Sequence, residues 1–144
     1  MGPIYVHALV AFGGSLVAGS ASFVAAWFTQ NRRESARKKL SEKAKRQKIY
    51  RRFIEEASGL YVDALVKSSF DAAILVSIYA LIGRMRIQSS DAVLNQASAV
   101  VKTIVDTYSE PNRSLVEVQH LVDSESFDPL RDFSQACRQE LDAI

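Results

Sequence analysis

Residues 4–28 form the longest uncharged stretch of the chain and constrain its fold more than any other feature. The stretch reads IYVHALVAFGGSLVAGSASFVAAWF and contains no Asp, Glu, Lys or Arg. As a helix rising about 1.5 Å per residue, it would reach roughly 37 Å, which exceeds the hydrocarbon core of a bilayer at about 30 Å. We therefore predict a transmembrane helix here, with residues 1–31 as a transmembrane anchor.

Two other interpretations of this segment fit less well. A cleaved signal peptide needs a positively charged start and a short apolar region, whereas this chain begins Met-Gly-Pro-Ile-Tyr without a charged side chain. A helix buried in a soluble protein is seldom apolar on all sides over such a length. Nine Lys or Arg follow the span within about 20 residues and none precedes it, which predicts an N-terminus outside and a cytoplasmic C-terminal domain.

One face of the predicted span carries small residues at every fourth position, namely Gly14, Ala18, Ser22 and Ala26. Small side chains let helix backbones approach closely in lipid, and a serine hydroxyl can bond across the contact. This spacing favours a helix-packing face, used either for homo-oligomer formation or for a membrane partner. The alternative is that Gly, Ala and Ser are simply common in membrane spans.

A strongly basic segment follows the span. Residues 32–52 carry eleven Lys and Arg against two Glu, whereas residues 53–144 carry seven basic and fourteen acidic residues. Residues 32–48 form a basic juxtamembrane connector, predicted to be helical because it lacks Pro and Gly. Eight of its cations are predicted to bind anionic lipid or a partner: Arg32, Arg33, Arg37, Lys38, Lys39, Lys43, Lys45 and Arg46.

Geometry limits how many of these cations a membrane could attract. An upright helix would carry Arg51 roughly 30 Å above the lipid, while electrostatic attraction fades over a Debye length of about 8–10 Å. Cations beyond about Lys39 would then need another explanation: a helix lying on the surface, an acidic partner, nucleic acid or plain solvation. Nucleic acid is disfavoured because no aromatic residue interleaves the cations before Tyr50.

Residues 49–144 predict a cytosolic domain made of amphipathic helices. The first has Ile49, Phe53, Ala57, Leu60 and Ala64 at steps of three and four, and it is expected to end near Lys67. The sequence predicts where four further helices begin: at Ser68 or Ser69, in the run from Ser89 to Asp91, at a capping box of Ser114 and Glu117, and at Asp128 followed by Pro129. No segment alternates as a strand does, so the fold class is all-α, an antiparallel bundle of four or five helices.

The pattern of polar residues does not favour an enzyme. The chain has two histidines and one cysteine, Cys137, and it lacks a nucleophile elbow, a phosphate-binding glycine loop and an HExxH motif. Glu117 and His120 match half of a di-metal motif, but no second cytosolic histidine completes it. We therefore predict no catalytic residues, no metal and no cofactor. Arg84 and Arg86 are predicted either to pair with Glu55, Glu56 or Asp63 or to contact an acidic partner.

Four runs in the domain carry a resemblance: FIEEASGLYVDAL, LIGRMRIQSS, YSEPNRSL and FDPLRDFSQACRQEL. With them the chain resembles a group of uncharacterised bacterial single-pass membrane proteins that have a basic connector and a small helical domain. The resemblance implies a bacterial inner (plasma) membrane setting. It implies no activity and no functional residue.

The function expected from these features is a membrane-anchored, non-enzymatic protein–protein interaction module or scaffold. In this interpretation the span anchors the chain, and the helical domain binds a cytosolic protein. The alternative is an electrostatic tether that holds anionic lipid or nucleic acid at the membrane through residues 32–52.

Overall fold

A computed structural model describes the backbone of residues 4–67, 71–110, 114–123 and 128–144, and the side chains of these residues except 4–21, 74, 115 and 121–123. Within these residues the fold is all-α, as predicted, and no β-strand occurs. The described helices are α1 (Ile4–Val66), α2 (Ala72–Gln88), α3 (Asp91–Tyr108), α4 (Leu115–Asp123) and α5 (Arg131–Asp142).

The chain forms two compact units, Met1–Ser41 and Glu42–Ile144. In the first unit, every described side chain, from Ser22 to Ser41, is exposed to solvent. The connector is helical throughout, as its composition predicts. No helix within the described residues is long and apolar enough to cross a membrane. Most of the predicted span, residues 4–21, lies outside the described side chains.

The second unit is built around one apolar core to which α1, α2, α3 and α5 all contribute. The predicted spacing is confirmed on α1, where Phe53, Ala57, Leu60 and Ala64 are buried. On α3, residues at steps of three and four face the same core, and α3 packs against both α2 and α5. The most deeply buried large side chains are Phe53, Phe133, Ile78, Met85, Ile104 and Val93.

Local side-chain bonds set where two of these helices, α4 and α2, begin. The predicted capping box of α4 is confirmed, since the Ser114 amide donates to the Glu117 carboxylate at 2.8 Å and the Glu117 amide to the Ser114 hydroxyl at 3.4 Å. Ser90 is the N-cap of α3, inside the predicted run. The N-cap of α2 is Asp71, whose carboxylate accepts from the Ala73 amide at 2.9 Å. The predicted caps of α2 at positions 68 and 69 lie outside the described residues.

The last helix begins later than predicted. Asp128 was expected to be its N-cap, with Pro129 in its first turn, but α5 begins at Arg131. The Asp128 carboxylate accepts from the Leu130 amide at 3.0 Å, and its carbonyl accepts from the Arg131 amide at 3.2 Å. The aspartate therefore closes a local turn of its own, a bonding pattern that competes with helix initiation.

Candidate functional site

A cluster of polar side chains around Glu140 joins three parts of the second unit. The Glu140 carboxylate accepts from Arg46 Nη1 at 2.6 Å, from the Tyr50 hydroxyl at 3.0 Å and from the Ser90 hydroxyl at 3.0 Å. It also accepts from the Ser90 backbone amide at 3.1 and 3.2 Å. The cluster thus connects α1, the start of α3 and α5, and we call Arg46, Tyr50, Ser89, Ser90 and Glu140 the Glu140 cluster.

The Glu140 carboxylate lies beside the start of a helix and several hydrogen-bond donors. The carboxylate lies at the N-terminal end of α3, where the helix dipole stabilises negative charge. Ser90 makes no side-chain cap bond within α3 and instead donates its hydroxyl to Glu140. The Tyr50 hydroxyl is also 2.9 Å from the Ser89 hydroxyl oxygen. Burial raises the pKa of Tyr50 to about 12, and the Glu140 carboxylate adds to this effect, so the phenol stays protonated as a donor.

Arg46 was predicted among the cations that bind lipid or a partner, and the structure places it in the Glu140 cluster. The Arg46 and Glu140 side chains are only 24% and 9% exposed. A charge pair with this little exposure is weakly screened, and each partner needs the other to offset its lost hydration. Arg46 therefore stabilises the fold, and the basic segment presents correspondingly less free charge.

A second polar cluster joins α1 to α3 at the other end of the domain. The Asp63 carboxylate accepts from the Tyr108 hydroxyl at 2.8 Å and from Lys67 Nζ at 2.7 Å. The bonds from Lys67 and Tyr108 lower the pKa of Asp63. Burial, together with the Asp63 carboxylate, raises the pKa of Tyr108 to about 12. Both shifts favour the same arrangement, a protonated phenol donating to an ionised carboxylate.

The lowered pKa of Asp63 predicts a pH dependence of stability. A carboxyl with a lower pKa in the folded than in the unfolded state stabilises the fold above the unfolded pKa of about 4, and this contribution is lost as pH falls through the folded pKa. We expect Asp63→Asn to lower the melting temperature at pH 7, with the variant and wild-type curves converging as the solution is acidified. Thermal melts by circular dichroism between pH 7 and pH 3 measure this. Asp106→Asn on the exposed side of α3 is the control, and a constant gap for Asp63→Asn would contradict the assignment.

The remaining predicted cations of the basic segment lie on the surface. Arg32, Arg33, Arg37, Lys38 and Lys39 are all exposed in the first unit. In the second unit Lys45 is exposed and Lys43 half-buried. The described side chains of the segment thus include both solvated cations and one, Arg46, that belongs to the fold.

An open groove of about 860 Å³ runs along α1 in the second unit. Its charged walls combine Lys48, Arg51 and Arg52 with Glu55 and Glu56. The buried Leu60 contributes an apolar part, and a Cβ built on Gly59 would have no atom within 4 Å, so the groove is open there. Apolar surface bordered by charges of both signs suits contact with another protein chain.

Arg84 and Arg86 lie exposed in the last turns of α2. Neither arginine pairs with Glu55, Glu56 or Asp63 in the described part of the chain. Asp63 binds Lys67 and Tyr108 instead, and Glu56 accepts from the Ser77 hydroxyl at 3.0 Å. The two arginines therefore remain candidates for contact with a partner.

Only part of the predicted packing face of the span is described. The side chains of Gly14 and Ala18 lie outside the described residues. Ser22 and Ala26 are exposed positions of α1. The helix is continuous through these positions, which keeps their four-residue spacing on one face.

The described side chains include no group of three or more His, Cys, Asp or Glu arranged to hold a metal ion. Cys137 is buried beside the aromatic core, and this burial raises the pKa of its thiol to about 12. A thiol with such a pKa is almost entirely protonated at neutral pH and a poor nucleophile. Cys137 acts as a small apolar core residue.

Sequence reasoning missed Glu140 and Tyr50, although a signal was present. Glu140 follows Phe133 and Cys137 at steps of four and three, so a carboxylate occupies the apolar stripe of α5. Arg46 lies four residues before Tyr50, so a charged residue likewise occupies the apolar stripe of α1. A charge of each sign on two apolar stripes indicates a buried pair. No family model, curated protein or solved structure matches this chain, so its resemblance to bacterial membrane proteins stays a prediction.

Proposed function

We propose that this protein is a membrane-anchored, non-enzymatic interaction module. Its first unit would hold the chain in a bacterial inner membrane, with the N-terminus outside. Its second unit, in the cytoplasm, would bind another protein. The resemblance to bacterial single-pass proteins and the cations after residue 31 support this setting and this orientation.

The observation that carries the anchor is a set of bulky apolar side chains that lie in solvent. Phe23 is 77% exposed and Trp27 is 61% exposed, and the neighbouring Val24 and Phe28 are each more than half exposed. Four large apolar side chains within six residues form an exposed patch of the kind that marks a membrane or protein contact. Tryptophan favours the level of the lipid headgroups, and the exposed cations from Arg32 onward suit the anionic surface just beyond it.

A polar side chain near this patch is compatible with lipid. The Thr29 hydroxyl donates to the Ala25 carbonyl one turn earlier at 2.9 Å. A hydroxyl bonded inside its own helix costs less to move out of water than an unpaired one. The end of the predicted span could therefore enter the interface without leaving this group unsatisfied.

The groove along α1 supports the interaction part of the proposal. Its three cations and Glu55 are exposed and lie outside the two clusters that hold the helices together, so they can contact another chain, whereas Glu56 accepts from the Ser77 hydroxyl. Cations at one end of the groove and carboxylates at the other would favour a partner segment of mixed charge over a purely acidic polymer. Such a pattern gives specificity more than affinity.

The test uses the full chain expressed in bacteria with a photo-crosslinking amino acid at Gly59. We expect the chain in the membrane fraction, resistant to alkaline extraction, and a reproducible adduct of one mass after irradiation. Leu16→Arg places a charge near the centre of the predicted span, at a cost of about 2.5–3.5 kcal/mol, and should reduce membrane retention. Leu40→Arg, at an exposed apolar position of α1, is the matched control and should not.

Two results would count against the proposal. If alkaline extraction releases the wild type and Leu16→Arg equally, the membrane anchor is contradicted. If crosslinking from Gly59 is no stronger than crosslinking from the exposed Ala99 on α3, the groove is not a binding site. The two parts of the proposal can thus fail separately.

The electrostatic tether is separated from the interaction module by charge neutralisation. The variant changes Lys43, Lys45, Lys48, Arg51 and Arg52 to Gln and spares Arg46, since its loss would disturb the Glu140 cluster. A tether predicts a large loss of binding to anionic vesicles or to oligonucleotides, with a strong salt dependence. An interaction module predicts that vesicle and oligonucleotide binding hardly change.

A further inference from the structure

Helix α2 is apolar on the side that faces the core and also on the side that faces solvent. Leu75, Ile78, Leu81, Ile82 and Met85 are buried. On the opposite side, Val76 is 66% exposed, Tyr79 is 55% exposed and Ile87 is 87% exposed. A row of exposed apolar side chains on one helix marks a contact surface. Among the residues that the structure describes, only the core side of α2 is covered.

The exposed apolar residues form a regular seam, which we call the outer face of α2. At about 100° per residue they fall within an arc of about 100° on the side away from the core. Five of them follow one another at steps of four, three, four and four residues, close to the spacing of a coiled-coil seam, and Ala80 lies beside them. The outer face consists of Ala72, Val76, Tyr79, Ala80, Gly83 and Ile87.

The order of large and small residues makes the outer face complementary to itself. We place an antiparallel pair so that its centre lies between Tyr79 and Ala80. Two residues from different copies then lie at the same level when their residue numbers add up to 159. Val76 then meets Gly83 and Ile87 meets Ala72, while Tyr79 and Ala80 lie on the two flanks of the axis. Two of the large side chains thus face small ones, as knobs-into-holes packing requires. In a parallel pair, each would face its own copy, so that tyrosine meets tyrosine and glycine meets glycine.

Gly83 leaves open space on this surface. A Cβ built on it would have no atom of the described residues within 4 Å. The antiparallel register brings the Val76 side chain of the second copy to this position. A glycine inside a helix costs stability, and one that admits a partner's side chain has a packing reason to be there.

Charge favours the same arrangement. Asp71 caps the N-terminal end of α2, and Arg84 and Arg86 lie in its last turns. An antiparallel pair brings the aspartate of each copy to the arginine end of the other. It also sets the two helix dipoles in opposite directions, which is the favourable orientation. A parallel pair would place like charges together at both ends.

We propose that the outer face of α2 binds the outer face of a second copy of this chain, antiparallel and about a two-fold axis. Such a contact is isologous, since each residue pair occurs twice. One helix face about 22 Å long offers less than the roughly 800 Å² per partner of a stable interface, so the dimer is reversible and concentration-dependent. The proposal concerns the second unit and does not depend on the anchor.

Disulfide trapping of the full chain in detergent micelles tests this geometry. Ala80→Cys lies next to the axis, so mild oxidation should link two copies and give a covalent dimer on a non-reducing gel. Ala99→Cys, an alanine on the exposed side of α3, is the matched control. The wild type shows whether Cys137 contributes, which its burial should prevent.

Two further cysteine variants determine the direction of the helices. In the antiparallel pair, the two copies of position 72 are separated by about 22 Å, far beyond the roughly 4.4–6.8 Å between Cα atoms that a disulfide spans. Ala72→Cys alone should therefore not form a dimer. A mixture of Ala72→Cys chains and Ile87→Cys chains should form one.

Gly83→Leu then adds a bulky side chain at this open position, where a Cβ would meet no described atom within 4 Å. We expect the melting temperature to be retained, since leucine is the better helix former, and trapping through Ala80→Cys to fall at least about tenfold. Trapping of Ala80→Cys no faster than Ala99→Cys would overturn the proposal, and so would efficient self-linking of Ala72→Cys. Burial of a fluorescent label at Ala80→Cys by anionic vesicles, without any dimer, would assign the face to lipid and also overturn it.

Discussion

Replacing Phe133 with alanine should destabilise the second unit more than any other single truncation considered for this chain. Phe133 is fully buried, its ring centroid is 4.6 Å from that of Phe53, and it meets Tyr50 edge-on at 6.1 Å. Truncating a buried phenylalanine costs about 3–5 kcal/mol, because apolar contacts are lost and a cavity remains. For a unit of this size, each kcal/mol corresponds to about 4–8 °C in melting temperature.

Thermal and urea unfolding measure the effect of this truncation. Phe133→Leu is the matched control, since it keeps most of the volume and should cost clearly less than the alanine variant. A loss below about 1 kcal/mol for Phe133→Ala would mean that α5 is not packed as described, since such a value is typical of exposed positions. The position matters because α5 carries both this ring and Glu140.

Replacing Glu140 with alanine should have the second largest effect. The change removes the acceptor for Arg46, Tyr50 and Ser90 together, and it leaves a half-buried guanidinium without its partner. Breaking a largely buried, hydrogen-bonded charge pair costs about 2–4 kcal/mol. Glu55→Ala, an exposed glutamate on α1, is the control and should stay within about 0.5 kcal/mol of the wild type.

A double-mutant cycle separates the pair from the rest of the cluster. Arg46→Ala and Glu140→Ala should together cost less than the sum of the single changes, because the second removes a charge that the first has already orphaned. Unfolding free energies from urea titrations at neutral pH give the coupling. Strict additivity would show that the 2.6 Å contact contributes no net stability.

The fold class and most of the core could be predicted because apolar spacing is a local property of the sequence. Phe53, Ala57 and Leu60 on α1, and Phe133 on α5, stand on stripes that a helix must bury somewhere. The capping box of Ser114 and Glu117 could be predicted for the same reason, since its two residues lie close together in the sequence. The start of α5 was wrong because two local patterns compete at Asp128, and the turn prevails over the helix there.

The bonding partners within the polar clusters could not be predicted, because they lie far apart in the chain. Asp63 and Tyr108 are 45 positions apart, and nothing in either neighbourhood indicates the other. Composition placed Arg46 with the other cations of the basic segment, whereas its place on the stripe of α1 decides its role. The outer face of α2 was hidden for the opposite reason. Its apolar run is typical of a buried helix, whereas the structure buries only one side of it.

The Glu140 cluster also sets an order of events during protein synthesis. Arg46 and Glu140 are 94 residues apart, and a ribosome adding about 5–20 residues per second needs roughly 5–20 s to make the chain between them. Throughout that interval the Arg46 guanidinium and the Tyr50 phenol on α1 lack their acceptor. The Glu140 cluster therefore cannot form until the last helix emerges, and a chain that stops short of Glu140 would leave Arg46 and Tyr50 without this acceptor.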